Sequence, residues 1–149
     1  MEQIIDSVRK KLKENDLRLT SQRQAILQTL LEYRHSHLSV EELYNITHEH
    51  YPDLGIATVY RTLDTFVELG IVHKMEFGDK GARYELKIND EEHYHHHLFC
   101  VSCGAIIEFN DDLLEKLEDR IMKENKFLIK DHSLRFYGLC YDCQQQGIK

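Results

Sequence analysis

The chain has 149 residues, of which 42% are hydrophobic and 30% charged, and its formal charge is −7 at pH 7. The length allows one good core or two small ones, and the composition indicates a soluble globular protein with no apolar run long enough to cross a bilayer. The negative charge argues against a generic polyanion-binding protein, because such proteins neutralise phosphates with Lys and Arg. The acidic excess lies mainly in the second half of the chain, where divalent cations would cancel part of it.

The first half of the sequence predicts four helices. Apolar residues at helical spacing mark the first two, and Thr20 can cap the N-terminus of the second. Ser39, with Glu42 three residues later, predicts a capping box at the start of the third helix. The fourth helix is expected from about Ile56 to Leu69, with Gly70 as its left-handed C-terminal cap.

Beyond the fourth helix the hydrophobic period changes from helical to alternating. Two alternating runs, 71–77 and 82–86, flank a glycine-rich turn and predict a β-hairpin. Helices followed by a hairpin are typical of a winged-helix domain, whose last helix before the hairpin can lie in the DNA major groove. We therefore expect a winged-helix DNA-binding domain over residues 1–84. Residues 85–92 are polar and aperiodic, and we interpret them as a hinge.

Residues 93–149 predict a smaller α/β domain, which makes the fold class α+β. Strands are expected over 93–101, 105–109 and 126–137, with a helix at about 111–124 between the second and the third. An exposed edge of this sheet would suit pairing with a second copy of the chain. The second domain is therefore predicted to be the dimerisation domain.

The four cysteines form two Cys-x-x-Cys pairs, Cys100 with Cys103 and Cys140 with Cys143. We expect a cytoplasmic protein with reduced thiols, because no apolar signal-peptide stretch follows the N-terminal charges. Two such pairs brought together would present four thiolates tetrahedrally, as structural zinc requires. The alternatives are unrelated free thiols, which the repeated spacing disfavours, and a redox pair, which is disfavoured because neither pair clearly opens a helix.

A histidine-rich run, His93-Tyr94-His95-His96-His97, precedes the first cysteine pair. On a β-strand successive side chains alternate, so His95 and His97 would share one face and His96 would lie on the other. This pattern indicates two metal sites, one on each face, and the alternative is a solvated histidine-rich edge. Imidazole combined with carboxylate suits Fe(II), Zn(II), Mn(II) or Co(II).

The sequence resembles the ferric uptake regulator (Fur) family over nearly its whole length. The matching segments are Arg18-Leu19-Thr20-x-x-Arg23, Gly55-Ile56-Ala57-Thr58-Val59-Tyr60-Arg61-Thr62-Leu63, His95-His96-His97-Leu98-Phe99-Cys100-x-x-Cys103-Gly104, His132-Ser133-Leu134 and Tyr137-Gly138-x-Cys140-x-x-Cys143. The second segment resembles the family's recognition helix, and the third resembles its metal signature. The resemblance implies a metal-dependent transcriptional repressor, not an enzyme or a membrane protein, that binds a palindromic A·T-rich DNA operator as a homodimer.

The resemblance also implies the site residues. A structural Zn(II) would bind the four cysteines. The sensing site would consist of His37, Glu85, His95, His97 and Glu108. A second site would consist of His96, Glu115 and His132, and Tyr94 stands where the family has a further histidine, so that His93 or water would complete this site. DNA contacts would come from Arg18, Tyr60 and Arg61.

Other interpretations of these residues remain open. His37 could be an ordinary loop histidine, and Arg61 could pair with Asp64 or Glu68 on its own helix. A zinc enzyme and a winged-helix module with purely structural metals are the competing functions. An enzyme is disfavoured because the sequence lacks a His-Glu-x-x-His helix and because the implied ligands would leave little open coordination.

The regulatory metal is expected to be Fe(II), with Zn(II) or Mn(II) as the alternatives. This choice follows from the resemblance of the His-Tyr-His-His-His-Leu run to iron regulators of the family. Peroxide sensors of the family carry aspartate where this chain has Glu108, which disfavours a peroxide-sensing function.

Overall fold

The computed structural model describes residues 1–87, 96–109 and 114–148. The chain divides into two units, Met1–Asp90 and Glu91–Lys149, and the division falls within the range predicted as the hinge. Most of that range lies outside the described residues, so the hinge remains a prediction. The mixture of helices and strands confirms the α+β fold class. Within the described ranges, no helix combines the length and the hydrophobicity needed to cross a membrane.

The first unit begins with the four predicted helices. They are α1 (Glu2–Glu14), α2 (Ser21–Glu32), α3 (Val40–His50) and α4 (Ile56–Glu68). The predicted capping box is present at α3, where the Glu42 N–H donates to Ser39 Oγ at 3.2 Å and the Ser39 N–H donates to Glu42 Oε2 at 2.8 Å. Gly70 has φ 65°, and the Ile71 N–H donates to the Phe66 carbonyl at 2.8 Å, which closes the C-terminus of α4 as predicted.

A two-stranded hairpin completes the first unit. Strand β1 (Val72–Glu76) pairs antiparallel with β2 (Ala82–Leu86), and a short 3₁₀ turn at Gly78–Lys80 joins them. Strand β2 extends two residues beyond the predicted end of the DNA-binding domain at residue 84. Apolar residues of the helices and the hairpin, including Leu12, Leu63 and Phe66, form one buried core. The arrangement is the predicted winged helix.

The second unit contains a three-stranded sheet. Its elements are β3 (His96–Cys100), β4 (Ile106–Phe109), α5 (Glu115–Asn125), β5 (Arg135–Gly138) and α6 (Tyr141–Gln145). The strand order is β4-β3-β5, with β3 antiparallel to β4 and parallel to β5. The predicted starts of the first strand at 93 and of the long helix at 111 lie outside the described residues.

The prediction of a strand over 126–137 was wrong for most of its length. Lys126 has φ 49° and ends α5 in the left-handed conformation, which is incompatible with an extended strand. The chain enters the sheet only at Arg135, after an irregular segment. The short helix α6 was not predicted, because five residues are too few to show a helical period.

Candidate metal centres

The two cysteine pairs meet at one end of the sheet in the second unit. Because β3 and β5 run parallel, the residues that follow both strands lie at the same sheet end. A tight turn at Gly104 returns the chain towards β4, with the Gly104 N–H donating to the Cys100 carbonyl at 2.9 Å. The ligand atoms of all four cysteines lie within 4.8 Å of one another.

The spacing of the thiols fits a tetrahedral zinc ion. Zn–S bonds of about 2.3 Å at tetrahedral angles place two sulfur atoms about 3.8 Å apart. The Sγ atoms of Cys103 and Cys140 are 3.7 Å apart, well beyond the disulfide bond length of about 2.05 Å. The four residues present therefore fit structural zinc, which would join the end of the chain to the end of β3.

One argument against a redox pair was wrong. Cys140 is the N-cap of α6, and Cys143 lies inside that helix, so the second pair does open a helix. This arrangement can activate a thiol in redox proteins. Both pairs converge here, however, and a four-thiol cluster favours metal binding over an isolated redox pair.

The four thiols also influence one another's protonation. The backbone N–H groups of Cys103 and Cys140 lower the pKa of the Cys100 thiol to about 6. The Ser102 hydroxyl lowers the pKa of the Cys143 thiol, but the neighbouring Cys140 thiol and burial outweigh it and raise that pKa to about 12. Four thiolates this close repel one another, so zinc binding would release the remaining protons and neutralise part of the charge.

A histidine–carboxylate pair lies in the first unit. His37 Nε2 is 2.8 Å from Glu85 Oε2, and the two side chains are only 6% and 14% exposed. The pairing is positioned by a backbone bridge between Leu38 and Tyr84, the residues adjacent to the pair. The structure therefore brings together both ligands that the sequence predicted in this unit.

A second histidine–carboxylate pair lies across strands of the second unit. His97 on β3 is directly opposite Glu108 on β4, and directly opposite side chains of an antiparallel pair lie on the same face. His97 is buried, whereas Glu108 is exposed. The remaining predicted ligand, His95, lies outside the described residues.

His96 has different neighbours from His97. Its ring lies 5.5 Å from the ring of His132 and 6.3 Å from that of Phe109, measured between ring centroids. His132 Nδ1 in turn contacts a carboxylate oxygen of Glu118 on α5. Of the second predicted set, His96 and His132 therefore lie together, and Glu118 is an acidic residue that contacts His132.

Sequence reasoning missed Glu118 and named Glu115, whose side chain is exposed in the first turn of α5. Residues three apart share a helix face, so the helical period alone leaves both carboxylates as candidates. The choice between them depends on how α5 packs. No local sequence signal reports that packing.

The predicted DNA-contacting residues of α4 lie on its solvent-exposed side. Val59 and Leu63 are fully buried, whereas Tyr60 is 45% exposed and Arg61 is exposed. Arg61 Nη2 donates a hydrogen bond of 3.2 Å to Thr58 Oγ1 in the preceding turn. The pairing of Arg61 with Asp64 or Glu68, considered above as an alternative, is therefore not the contact observed. This bond uses one of the five guanidinium N–H groups.

Arg18 lies in the segment between α1 and α2, and its side chain is exposed. Its backbone carbonyl accepts a hydrogen bond of 2.6 Å from Arg23 Nη1. The contact joins the Arg18 segment to the first turns of α2, while the Arg18 side chain extends into solvent.

Known proteins resemble the chain over almost its entire length. The family model described as "Ferric uptake regulator family" matches residues 14–137. The ferric uptake regulation protein of Bacillus subtilis (strain 168) is 46% identical over 143 residues, which cover 96% of each chain. The peroxide-responsive repressor PerR of Staphylococcus saprophyticus is 34% identical over 144 residues, covering 97% of this chain and 93% of the relative.

Among solved structures, that of the Helicobacter pylori ferric uptake regulator Fur, described as revealing three functional metal binding sites, is similar to this chain. The TM-score is 0.84 at 29% sequence identity, and the match covers 96% of this chain and 93% of that chain.

Proposed function

The chain belongs to the ferric uptake regulator family, and we propose that it is an Fe(II)-responsive repressor that binds a palindromic, A·T-rich operator as a homodimer. Family membership makes it a metal-responsive transcriptional regulator and not an enzyme. The observation that carries the proposal is the largely buried contact between His37 and Glu85 in the winged-helix unit, which supports metal-ligand chemistry in the DNA-binding half.

The proposed sensing site would combine donors from both units. His37 and Glu85 would supply a nitrogen and an oxygen from the first unit, and His95, His97 and Glu108 would supply the remaining donors from the second. The metal supplies a positive charge and a preferred coordination geometry. Because all the donors must reach one position, the bound state favours one arrangement of the two units, and that arrangement would fit the two operator half-sites.

Fe(II) is the preferred regulatory metal. Imidazole and carboxylate donors suit Fe(II), Mn(II) and Zn(II). Identity is higher to a ferric uptake regulation protein, at 46%, than to a peroxide-responsive repressor, at 34%, and Glu108 replaces the aspartate of the peroxide sensors. Metal analysis of the protein purified anaerobically from its native cell tests this choice. Iron together with zinc supports it, and zinc or manganese without iron would contradict it.

The other two metal sites are proposed from the donor atoms that their residues supply. The four-thiol cluster would hold structural Zn(II) in the reducing cytoplasm. His96 and His132 would form a second site with a carboxylate of α5, either the predicted Glu115 or the observed neighbour Glu118.

Exposed apolar residues of the second unit support the homodimer. In the described part of α5 no residue is buried. Large apolar side chains left exposed in this unit include Leu117, Ile121, Phe127, Leu128 and Phe136. A twofold dimer would cover such residues and would place two α4 helices on the two halves of a palindrome.

Arg61→Ala is expected to weaken operator binding more than binding to random DNA of equal length. Arg can form paired hydrogen bonds with guanine, and losing one such contact costs about 1–3 kcal/mol of discrimination. Titrations of both DNAs at one salt concentration measure the effect. The exposed Arg9 of α1, which pairs with Asp6, provides a matched control as Arg9→Ala. Equal losses on operator and random DNA would reassign Arg61 to a phosphate contact.

Metal affinity of the sensing site is expected to fall at least about tenfold as the pH drops below about 6.5. The donor nitrogens must be unprotonated to bind metal, so protons compete with it. Cobalt(II) titrations of the zinc-loaded protein on either side of that pH measure the change, with circular dichroism as the control for folding. An affinity independent of pH across this range would exclude a histidine-rich site.

A further inference from the structure

Arg83 on strand β2 connects the hairpin to the segment that carries His37. Its Nη1 atom donates to Glu42 Oε2 at 2.6 Å and lies 3.5 Å from the His37 carbonyl oxygen. The same Glu42 oxygen accepts the backbone N–H of Ser39 at 2.8 Å. Glu42 Oε2 therefore links the Arg83 guanidinium to the backbone of Ser39, two residues after His37.

The Arg83 contacts reinforce a weak backbone connection. Leu38 and Tyr84 exchange two backbone hydrogen bonds, of 3.3 and 2.9 Å, in an isolated bridge outside the named strands. His37 and Glu85 lie on one side of this bridge, and Arg83 lies on the other. A single bridge constrains the two segments less than a continuous ladder of hydrogen bonds would, and a second contact on the opposite side adds a further constraint.

The local stability that Arg83 contributes is small. The Arg83 side chain is 21% exposed and its Glu42 partner 49%. Its Nε is buried without a hydrogen-bond partner among the residues that the structure describes. An unpaired buried N–H costs free energy, which offsets part of what the ion pair gains. The contact therefore constrains geometry more than it adds stability.

The separation of the ligand pair suits metal coordination. Two donors, each about 2.1 Å from one ion, lie about 3 Å apart at octahedral angles. His37 Nε2 and Glu85 Oε2 are 2.8 Å apart. The two donors thus have the separation of adjacent ligands on one ion, and whatever fixes the two segments maintains it.

From this geometry we propose that Arg83 is a positioning residue of the sensing site. Its contacts with Glu42 and with the His37 carbonyl hold the His37 and Glu85 donors at the separation required for one metal ion. The proposal rests on the sensing role proposed above for these two residues. Residues that hydrogen-bond the ligating side chains typically change metal affinity by about 10–100-fold when they are replaced, and Arg83, which contacts the His37 backbone, is expected at the lower end of this range.

Arg83→Gln tests the proposal. Cobalt(II) titrations of the full-length, zinc-loaded protein without DNA should show affinity at least about tenfold weaker than wild type. Zinc content, dimer mass and thermal unfolding should stay unchanged, which separates positioning from a general loss of structure. Lys74→Gln is the matched control, because it removes the Lys74–Glu76 ion pair of 3.3 Å from the same hairpin. The control should retain wild-type cobalt affinity.

Glu42→Gln provides a second variant that should fold. Glutamine preserves the capping box of α3 and removes only the charge that Arg83 contacts. It should also weaken cobalt binding, and the double variant should lose no more than the larger single loss, because the two residues act through one contact. Additive losses, or cobalt affinity within about twofold of wild type in both single variants, would overturn the positioning role.

His37→Ala separates this inference from the proposed function. If it weakens cobalt binding while Arg83→Gln and Glu42→Gln do not, only the positioning role fails. If all three variants retain wild-type affinity, the sensing site itself is wrong. A loss of zinc or of the dimer in both Arg83→Gln and Glu42→Gln would assign the contact to folding and would also overturn the positioning role.

Discussion

Cys100→Ser is expected to remove the zinc, unfold the second unit and abolish the dimer. The buried residues described in this unit are His96, His97, Phe99, Cys100 and Cys143. The large apolar core lies entirely in the first unit. Structural zinc contributes on the order of 10 kcal/mol in small zinc modules, and so small a core cannot replace that contribution.

Zinc content, dimer mass and circular dichroism of Cys100→Ser measure this effect, and Cys143→Ser should behave in the same way. Tyr141→Phe is a suitable control, because Tyr141 lies between the second pair of cysteines and its side chain is 72% exposed. The first unit should keep its helical signal in all three variants. A Cys100→Ser protein that remained dimeric and zinc-loaded would contradict the assignment of a structural zinc to the four cysteines.

His37→Ala is expected to leave a folded, zinc-loaded dimer that no longer gains operator affinity when Fe(II) is added. The side chain contacts Glu85 and lies outside the apolar core, so the winged helix should stay folded, although the Glu85 carboxylate left without His37 costs some stability. Coupling between an effector and a ligand is typically about 5–150-fold in affinity, and this variant should lose all of it. His97→Ala, which removes a proposed ligand of the second unit, should show the same loss of iron-dependent operator affinity.

Operator titrations with and without Fe(II), under anaerobic conditions, measure the coupling. His35→Ala is the matched control, because His35 is an exposed histidine of the same loop, whose Nε2 accepts a hydrogen bond from Arg34. It should respond to Fe(II) like wild type. Full iron dependence in His37→Ala or His97→Ala would require the sensing site to be placed elsewhere.

The parts of the fold that were predicted correctly are those set by neighbouring residues. The capping box of Ser39 and Glu42 and the left-handed Gly70 depend on backbone groups within a few positions. Hydrophobic period distinguished the helices from the hairpin for the same reason. The contact between His37 and Glu85 joins distant parts of the chain, and it was expected only through resemblance to the family.

The incorrectly predicted strand and the contacts that were not predicted concern features set by distant packing. The segment after Lys126 begins with three apolar residues but remains irregular up to Arg135, where pairing of β5 with β3 begins. Glu118 was missed because helical spacing could not distinguish it from Glu115. The ion pair between Arg83 and Glu42 spans 41 positions, and no pattern in the sequence connects these residues.

Operator affinity of the zinc-loaded wild-type protein, measured with and without Fe(II), tests the central claim most directly. The structural zinc is present in both measurements, so any difference comes from the sensing metal. The proposed function predicts a gain of at least about fivefold on the operator when Fe(II) is added, and a smaller gain on random DNA. Equal operator affinity with and without Fe(II) would contradict it.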